Sequence, residues 1–253
     1  AIRVDTRGRE VMRVLPRINE QVNEEWISDK TRFIADGLRT QRLDRPYVRK
    51  NGKLQAASWG EAFDTIAKAV AKTSGDKIGA IAGDLAAVEE LYALKQLMIS
   101  LGSANIDCRQ DGAALDPSMG RGSYIFNAGI ENIEGADALL LIGSNPRVEA
   151  AVLNARIRKA WRGNGMPIGV IGEGGELRYE HEVLGAGPET LAEVVDGKHS
   201  FSKVLKNAKN PLIIVGQGAL ARKDGGTVLG LAAKLTAALN AVREDWNGFA
   251  VLH

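Results

Sequence analysis

Four short apolar runs, three of them followed by a stretch of helical periodicity, constrain this chain more than any other feature. "KIGAIAG" precedes "AVEELYALKQLMISLG", "ADALLLIGS" precedes "VEAAVLNARIRKAWRG", "PIGVIG" follows that helix, and "NPLIIVG" precedes "TVLGLAAKLTAALNAV". Runs of this length with no polar alternation suit strands buried on both faces, and the intervening helices supply the covering layers. Strand and helix in alternation predict a parallel sheet of the α/β class.

The first 57 residues have a different texture. "AIRVDTRGREVMRVL" alternates apolar and charged side chains around Thr6-Arg7-Gly8-Arg9, which predicts a β-hairpin with Ile2 and Val4 on one face. "YVRKNGKLQAAS" centres on Asn51-Gly52, the signal of a type I′ hairpin turn. Ser58 and Glu61 form a capping-box pattern ahead of a helix from Phe63 to Val70 that Gly75 ends, and Gly163 is the expected stop of the helix after "LLLIGS". Residues 173–210, rich in Gly and charge, read as an excursion or linker, and a second, truncated α/β unit is expected to start near residue 211. The expected division is therefore 1–57, 58–180 and 181–253.

Composition removes several function classes. Lys plus Arg number 33 against 31 Asp plus Glu, so a net charge of +2 gives no case for a nucleic-acid footprint. The single cysteine, Cys108, excludes an intrachain disulfide and a cysteine metal cage, and a buried structural thiol is expected there rather than a reactive one beside Arg109. No apolar run approaches the roughly 18 residues of a membrane span. The start at Ala1, without an initiator Met, reads as a piece of a longer chain.

Two post-strand glycine loops are the local candidates for binding. "IGSNP" runs from a strand into a helix, where Gly143, Ser144 and Asn145 could approach a ligand, or Gly143 could make the turn and Asn145 cap the helix. "VGQGAL" offers the same ambiguity. Neither completes a dinucleotide or phosphate-loop fingerprint. His181, His199 and His253 are scattered, with His181 expected on the surface, and no zinc-hydrolase or nucleophile-elbow motif is present.

Three stretches together, "IRVDTRGREVMRVLPRINEQVNEEWISDKTRF", "RLDRPYVRKNGKLQAASWGEAF" and "ADALLLIGSNPRVEAAVLNARIRKA", resemble the large iron–sulfur subunits of respiratory complex I. Those are in turn similar to formate dehydrogenases and other molybdenum or tungsten bis-pterin enzymes. The resemblance implies an N-terminal β-hairpin segment followed by doubly wound, Rossmann-like parallel-sheet units of the formate dehydrogenase/DMSO reductase type. It places Ser28 where those enzymes carry the last cysteine ligand of a 4Fe–4S cluster; Lys30, at the position of the lysine between cluster and pterin, is retained, as are Arg32 and Phe33. Gly143, Ser144 and Asn145 fall on the loop that contacts the pterin dinucleotide. The acid–Pro–Arg pattern after the next strand is replaced by Gly172-Glu173-Gly174, and Cys108 and Asp111 near the metal-ligand zone lack the enzymes' surrounding pattern. Serine is a poor ligand for a thiolate-built cluster.

The resemblance therefore implies a non-catalytic segment with no cofactor of its own, the iron–sulfur clusters being held by a preceding N-terminal part. The parent complex passes electrons from NADH to quinone and translocates protons. Partners implied are those cluster domains, reached through the hairpin strands of residues 1–45, and other peripheral-arm subunits. The implied place is the cytoplasmic side of the inner membrane in bacteria or the matrix side in mitochondria, without direct insertion. The alternatives are a bis-pterin oxidoreductase related to formate dehydrogenase and a small nucleotide-binding module. Ser28 is expected to cap a short helix ending at Gly37, with Lys30 and Arg32 held by internal hydrogen bonds and Asp36 as a partner for Arg32.

Overall fold

The structure is a computed structural model describing residues 1–108 and 112–253. Arg109 and Asp111 lie outside the described residues. The chain forms two compact units: Ala1–Ala35 with Gly112–His253, and Asp36–Asp111.

Both hairpins form where alternation and turn chemistry place them. Strands β1 (Ile2–Arg7) and β2 (Glu10–Pro16) pair antiparallel, with a register shift at Asp5/Thr6. The chain then enters α1 (Asp29–Phe33) and tightens into a 3-10 turn over Ile34–Leu38. Strands β3 (Tyr47–Lys50) and β4 (Lys53–Ala56) flank Asn51 and Gly52 at φ 51° and 77°, the left-handed pair a type I′ turn demands.

Within the second unit, Ser58 accepts the Glu61 N–H and starts α2 (Trp59–Val70). The reciprocal half of the capping box does not form, because the Glu61 carboxylate pairs with Lys50. Helix α2 stops at Val70, before Gly75, which instead opens a 3-10 turn. The run "KIGAIAG" yields only the two-residue strand β5 (Ala80–Ile81), parallel to β6 (Ile106–Asp107), with α3 (Val88–Ser100) between them. It is not the buried strand its composition predicts: Ile81 is 74% exposed, because a lone parallel pair has no second layer over that residue. Ala62, Ala82 and Met98 are the buried apolar residues among the described residues of this unit, while Trp59, Phe63 and Ile66 form an exposed stripe along α2. Cys108, just past β6, is exposed rather than buried.

The larger unit holds a five-stranded parallel sheet. Its strands are β7 (Ala138–Ile142), β8 (Ile168–Ile171), β9 (Glu182–Gly185), β10 (Pro211–Gly216) and β13 (Phe249–Leu252). A short antiparallel pair, β11 (Val242–Arg243) and β12 (Trp246–Asn247), precedes the last strand. The spatial order β13-β10-β7-β8-β9 reverses between β7 and β10, the doubly wound arrangement.

Side chains of β7 alternate between two cores. Leu139 and Leu141 face α5 (Ala151–Asn164), packing with Leu153, Ile157 and Tyr179. Ala138, Leu140 and Ile142 face the other side, where α6 (Pro188–Val195), α7 (Phe201–Asn207) and α9 (Gly225–Ala238) contribute Leu191, Phe201, Leu205 and Leu229. Short helices α4 (Pro146–Glu149) and α8 (Gln217–Leu220) follow β7 and β10. Asp137 accepts the N–H groups of Lys209 and Asn210 at 2.7 Å each, which aligns the entries of β7 and β10.

Three expectations change here. Helix α5 ends at Asn164 with Gly165 in the left-handed region at φ 64°, two residues beyond Gly163. Residues 173–210 are not a linker: they supply β9, α6 and α7, with their glycines in the loop before β9, at its end and at the two ends of α6. The strands after residue 211 open no second unit, because β10 hydrogen-bonds directly to β7; contacts thus group the chain differently from boundaries at 57 and 180.

Tyr179 is buried and donates to Asn154 Oδ1 at 2.8 Å, while Asn154 Nδ2 donates to the Leu177 carbonyl at 3.2 Å. Burial pushes the Tyr179 phenol well above its ordinary value. This relay pins the loop before β9 to α5. Tyr179→Phe should cost about 1–2 kcal/mol in urea unfolding, since it leaves Asn154 Oδ1 without its donor.

Candidate functional site

The reversal of strand order opens a cavity of about 450 Å³ at the carboxyl ends of β7, β8 and β10. This is the crevice where doubly wound sheets bind ligands. The loops after β7 and β10 nearly touch: a Cβ on Gly216 would lie 2.4 Å from the Gly143 carbonyl oxygen, and one on Gly143, at φ 59°, would lie 2.5 Å from the Ala219 Cβ. Glycine at both positions is what lets the two loops meet.

Gly143, Ser144 and Asn145 come together at this cavity. Asn145 occupies the cap position of α4, yet its side chain makes no capping bond. The cap comes from the opposite direction. Glu149 reaches back so that Oε1 accepts the Asn145 N–H at 2.8 Å and Oε2 accepts the Ser144 hydroxyl at 3.0 Å. Asn145 Oδ1 is the buried side-chain polar atom left without a partner among the described residues.

The electrostatics of the cavity follow from residues that motif reading passed over. Glu149 and Glu173 line it together with Arg222. Arg222 already holds Asp224 through two contacts of 2.8 and 2.9 Å, which hold the Asp224 carboxyl below the ordinary carboxylate range. Nearby Arg147 donates to the carbonyl and carboxylate of Glu176, both at 2.9 Å. The spacing Asn-Pro-x-x-Glu was the available signal for Glu149, one turn beyond the loop it caps.

Ser28 and Lys30 lie elsewhere, lining a second cavity of about 800 Å³ with Phe126, Val148 and Leu252; Glu149 borders both cavities. Ser28 is the N-cap of α1, its Oγ accepting the Thr31 N–H at 3.3 Å. Arg32 lines neither cavity. The side chains of Lys30 and Arg32 make no hydrogen bond or ion pair among the described residues, contrary to expectation, and Asp36 does not take up Arg32. The physical reason is the change of helix type: α1 ends at Phe33, and the tighter 3-10 turn carrying Asp36 loses the i,i+4 spacing.

A third cluster, with no sequence signature, joins the N-terminal segment to α5. Arg156, whose side chain is only 7% exposed, pairs with Glu134, lies 3.8 Å from Glu24 and donates to the Glu20 carbonyl. Lys159 pairs with Glu24 and, at 3.2 Å, with Glu134. The Lys159 hydrogen bond holds the Glu24 carboxyl below its ordinary range.

The histidines stay apart. His181 is half-buried against Tyr179 rather than fully on the surface, His199 Nδ1 accepts the Phe201 N–H, and His253 contacts the Tyr124 carbonyl. Among the described residues, no group of three His, Cys, Asp or Glu is placed to hold a metal ion.

Residues 42–253 match the family model of molybdopterin oxidoreductases, and residues 1–36 match that of the NADH-ubiquinone oxidoreductase NDSU1/NuoG-like, 4Fe-4S domain. The chain is 50% identical over its whole length to the G subunit of the NADH-quinone oxidoreductase of Rickettsia conorii, covering 37% of that protein. It is 46% identical, over 99% of its length, to the mitochondrial NADH dehydrogenase (ubiquinone) iron-sulfur protein 1 of Solanum tuberosum, covering 34% of it. The chain thus spans little more than a third of these relatives. In fold it is similar to acetylene hydratase from Pelobacter acetylenicus, with a TM-score of 0.69 and 14% identity over 95% of this chain and 42% of that one. A second structural match, in the formyltransferase/hydrolase complex of Methylorubrum extorquens, has a TM-score of 0.59 and 20% identity over 82% of this chain and 60% of that one. The doubly wound sheet, the glycine loops at its switch point and a family match over residues 42–253 agree: the chain belongs to the molybdopterin oxidoreductase family.

Proposed function

We propose that this chain is a non-catalytic, structural segment of the large iron–sulfur (G) subunit of an NADH-quinone oxidoreductase. The parent complex would carry electrons from NADH through iron–sulfur clusters to quinone, coupled to proton translocation. The observation that carries this reading is the 50% identity, over the whole chain, to the G subunit of the Rickettsia conorii enzyme.

The site chemistry supports a structural role. Residues 1–36 contain no cysteine, so the segment matching a 4Fe-4S domain supplies no thiolate to a cluster. Ser28 acts as a helix cap at the position where related enzymes carry a cluster cysteine. The clusters would then sit in the parent subunit outside this chain. The pterin dinucleotide of the family does not fit the switch-point cavity as it stands. Two carboxylates line it, its loop donors are engaged, and its arginine is committed to Asp224. No chemical step is assigned to that group.

The partners of this reading are the cluster-bearing part of the same subunit and other peripheral-arm subunits. Its place is the peripheral arm, on the cytoplasmic side of a bacterial membrane or the matrix side of a mitochondrial one. No helix among the described residues is long and apolar enough to cross a membrane. Elemental analysis of the parent complex, purified from cells that make molybdenum cofactor, tests the proposal. Iron with only traces of molybdenum and tungsten is expected. Molybdenum or tungsten stoichiometric with this chain would overturn the structural reading in favour of a bis-pterin oxidoreductase.

A further inference from the structure

We infer that Glu149 is a resident anion that closes the switch-point cavity to the phosphate-bearing cofactor implied by its family. The inference rests on the geometry of the cavity and stands whether or not the parent is a complex I subunit.

In a doubly wound sheet the ligand phosphate is taken at this crevice by the donors of the first glycine loop. Here the corresponding donors are the Ser144 hydroxyl and the Asn145 N–H, and one carboxylate takes both, through separate oxygens at 3.0 and 2.8 Å. The shorter of the two, from the Asn145 N–H, has the length of a charge-assisted hydrogen bond to an anion. Ser144 is buried, so an alternative partner would have to enter the same space. The α4 turn is what delivers the carboxylate: Pro146 starts it, and Glu149 ends it one turn later. A phosphate seeking these donors would displace Glu149 into a cavity that already holds Glu173. Arg222, a cation lining the same cavity, is already paired with Asp224, which offsets its attraction for a phosphate. The cradle that could take a phosphate is thus filled by the chain itself.

A simple helix cap would give the same two hydrogen bonds, so the test must read anion binding rather than stability alone. The full-length parent subunit is compared with its Glu149→Ala and Glu149→Gln variants by calorimetric titration and thermal shift, with pyrophosphate and inorganic phosphate as probes. The native protein sets the baseline. Glu149→Ala is expected to bind pyrophosphate at least about tenfold more tightly than native and to gain melting temperature with it. Adding Ser144→Ala should weaken the gained binding. If Glu149→Ala fails to fold, Glu149→Gln decides, since it keeps an acceptor for Asn145 while removing the charge, and it too must bind pyrophosphate more tightly than native. A folded variant no better than native would overturn the inference. So would a gain that survives Ser144→Ala undiminished, because the anion would then be bound elsewhere.

Discussion

Arg156→Ala should lower the stability of the larger unit by about 3–5 kcal/mol, measured by urea unfolding. The guanidinium is nearly buried and serves three acceptors at once: the Glu134 and Glu24 carboxylates and the Glu20 carbonyl. Its removal leaves carboxylates facing each other with only Lys159 between them, and strips the Glu20 carbonyl of its donor. Lys159→Ala is the internal control. Its ammonium makes two of the same contacts from a side chain that is 53% exposed, where water screens the charge, and it should cost less than about 1 kcal/mol. The cluster should also show in acid. Glu24 is held below its ordinary value of 4.5, first by its hydrogen bond to Lys159. A depressed carboxyl contributes stability above its unfolded pKa and loses it as pH falls through the folded one. Stability of the native protein should therefore fall below about pH 4.5, and part of that fall should disappear in Lys159→Ala.

Gly216→Ala should be nearly as damaging, at about 3 kcal/mol, through a different mechanism. Gly216 has an ordinary φ of −76°, so conformation is not the obstacle; space is. The added methyl would meet the Gly143 carbonyl oxygen at 2.4 Å and the Ser144 Cβ at 2.7 Å, both on the facing loop. Neither is the end of a flexible side chain, so the loops after β7 and β10 must separate. Gly226→Ala in helix α9 supplies the contrast, because nothing lies within 4 Å of where its methyl would stand and a helical alanine is favoured. That variant should gain up to about 1 kcal/mol. Thermal melts of both variants check the pair, and a Gly216→Ala protein as stable as native would refute the close approach.

Much of the fold is legible because local chemistry and tertiary demand agree. "NG" at Asn51-Gly52 is a strong turn signal, and "ALLLI" at residues 138–142, short and closed by Gly143, reads as a strand covered on both faces. Two of the failures share one physical cause, dependence on distant partners. β9 hides in a Gly-rich, charged segment because an edge strand paired only with β8 can leave Glu182 and Val183 exposed. "KIGAIAG" has the composition of a buried strand but a single short partner. In the site, Gly143, Ser144 and Asn145 are readable from their place after a strand. Glu149 requires knowing that α4 is a single turn, and Arg156 requires knowing that α5 meets Glu20 and Glu24. Lys30 and Arg32 escape the expected pairing because helix periodicity does not extend past Phe33, where the turn tightens.

The bond from Arg156 to the Glu20 carbonyl spans 136 residues of chain. At synthesis rates of roughly 5–20 residues per second, the Glu20–Glu24 segment emerges roughly seven to twenty-seven seconds before the helix it pairs with. During that interval the Glu20 carbonyl and the Glu24 carboxylate lack their partners Arg156 and Lys159, while all of residues 36–111 pass out of the ribosome behind them. A chaperone or a neighbouring domain that shelters this segment in this window would raise the yield of folded protein without altering its final stability.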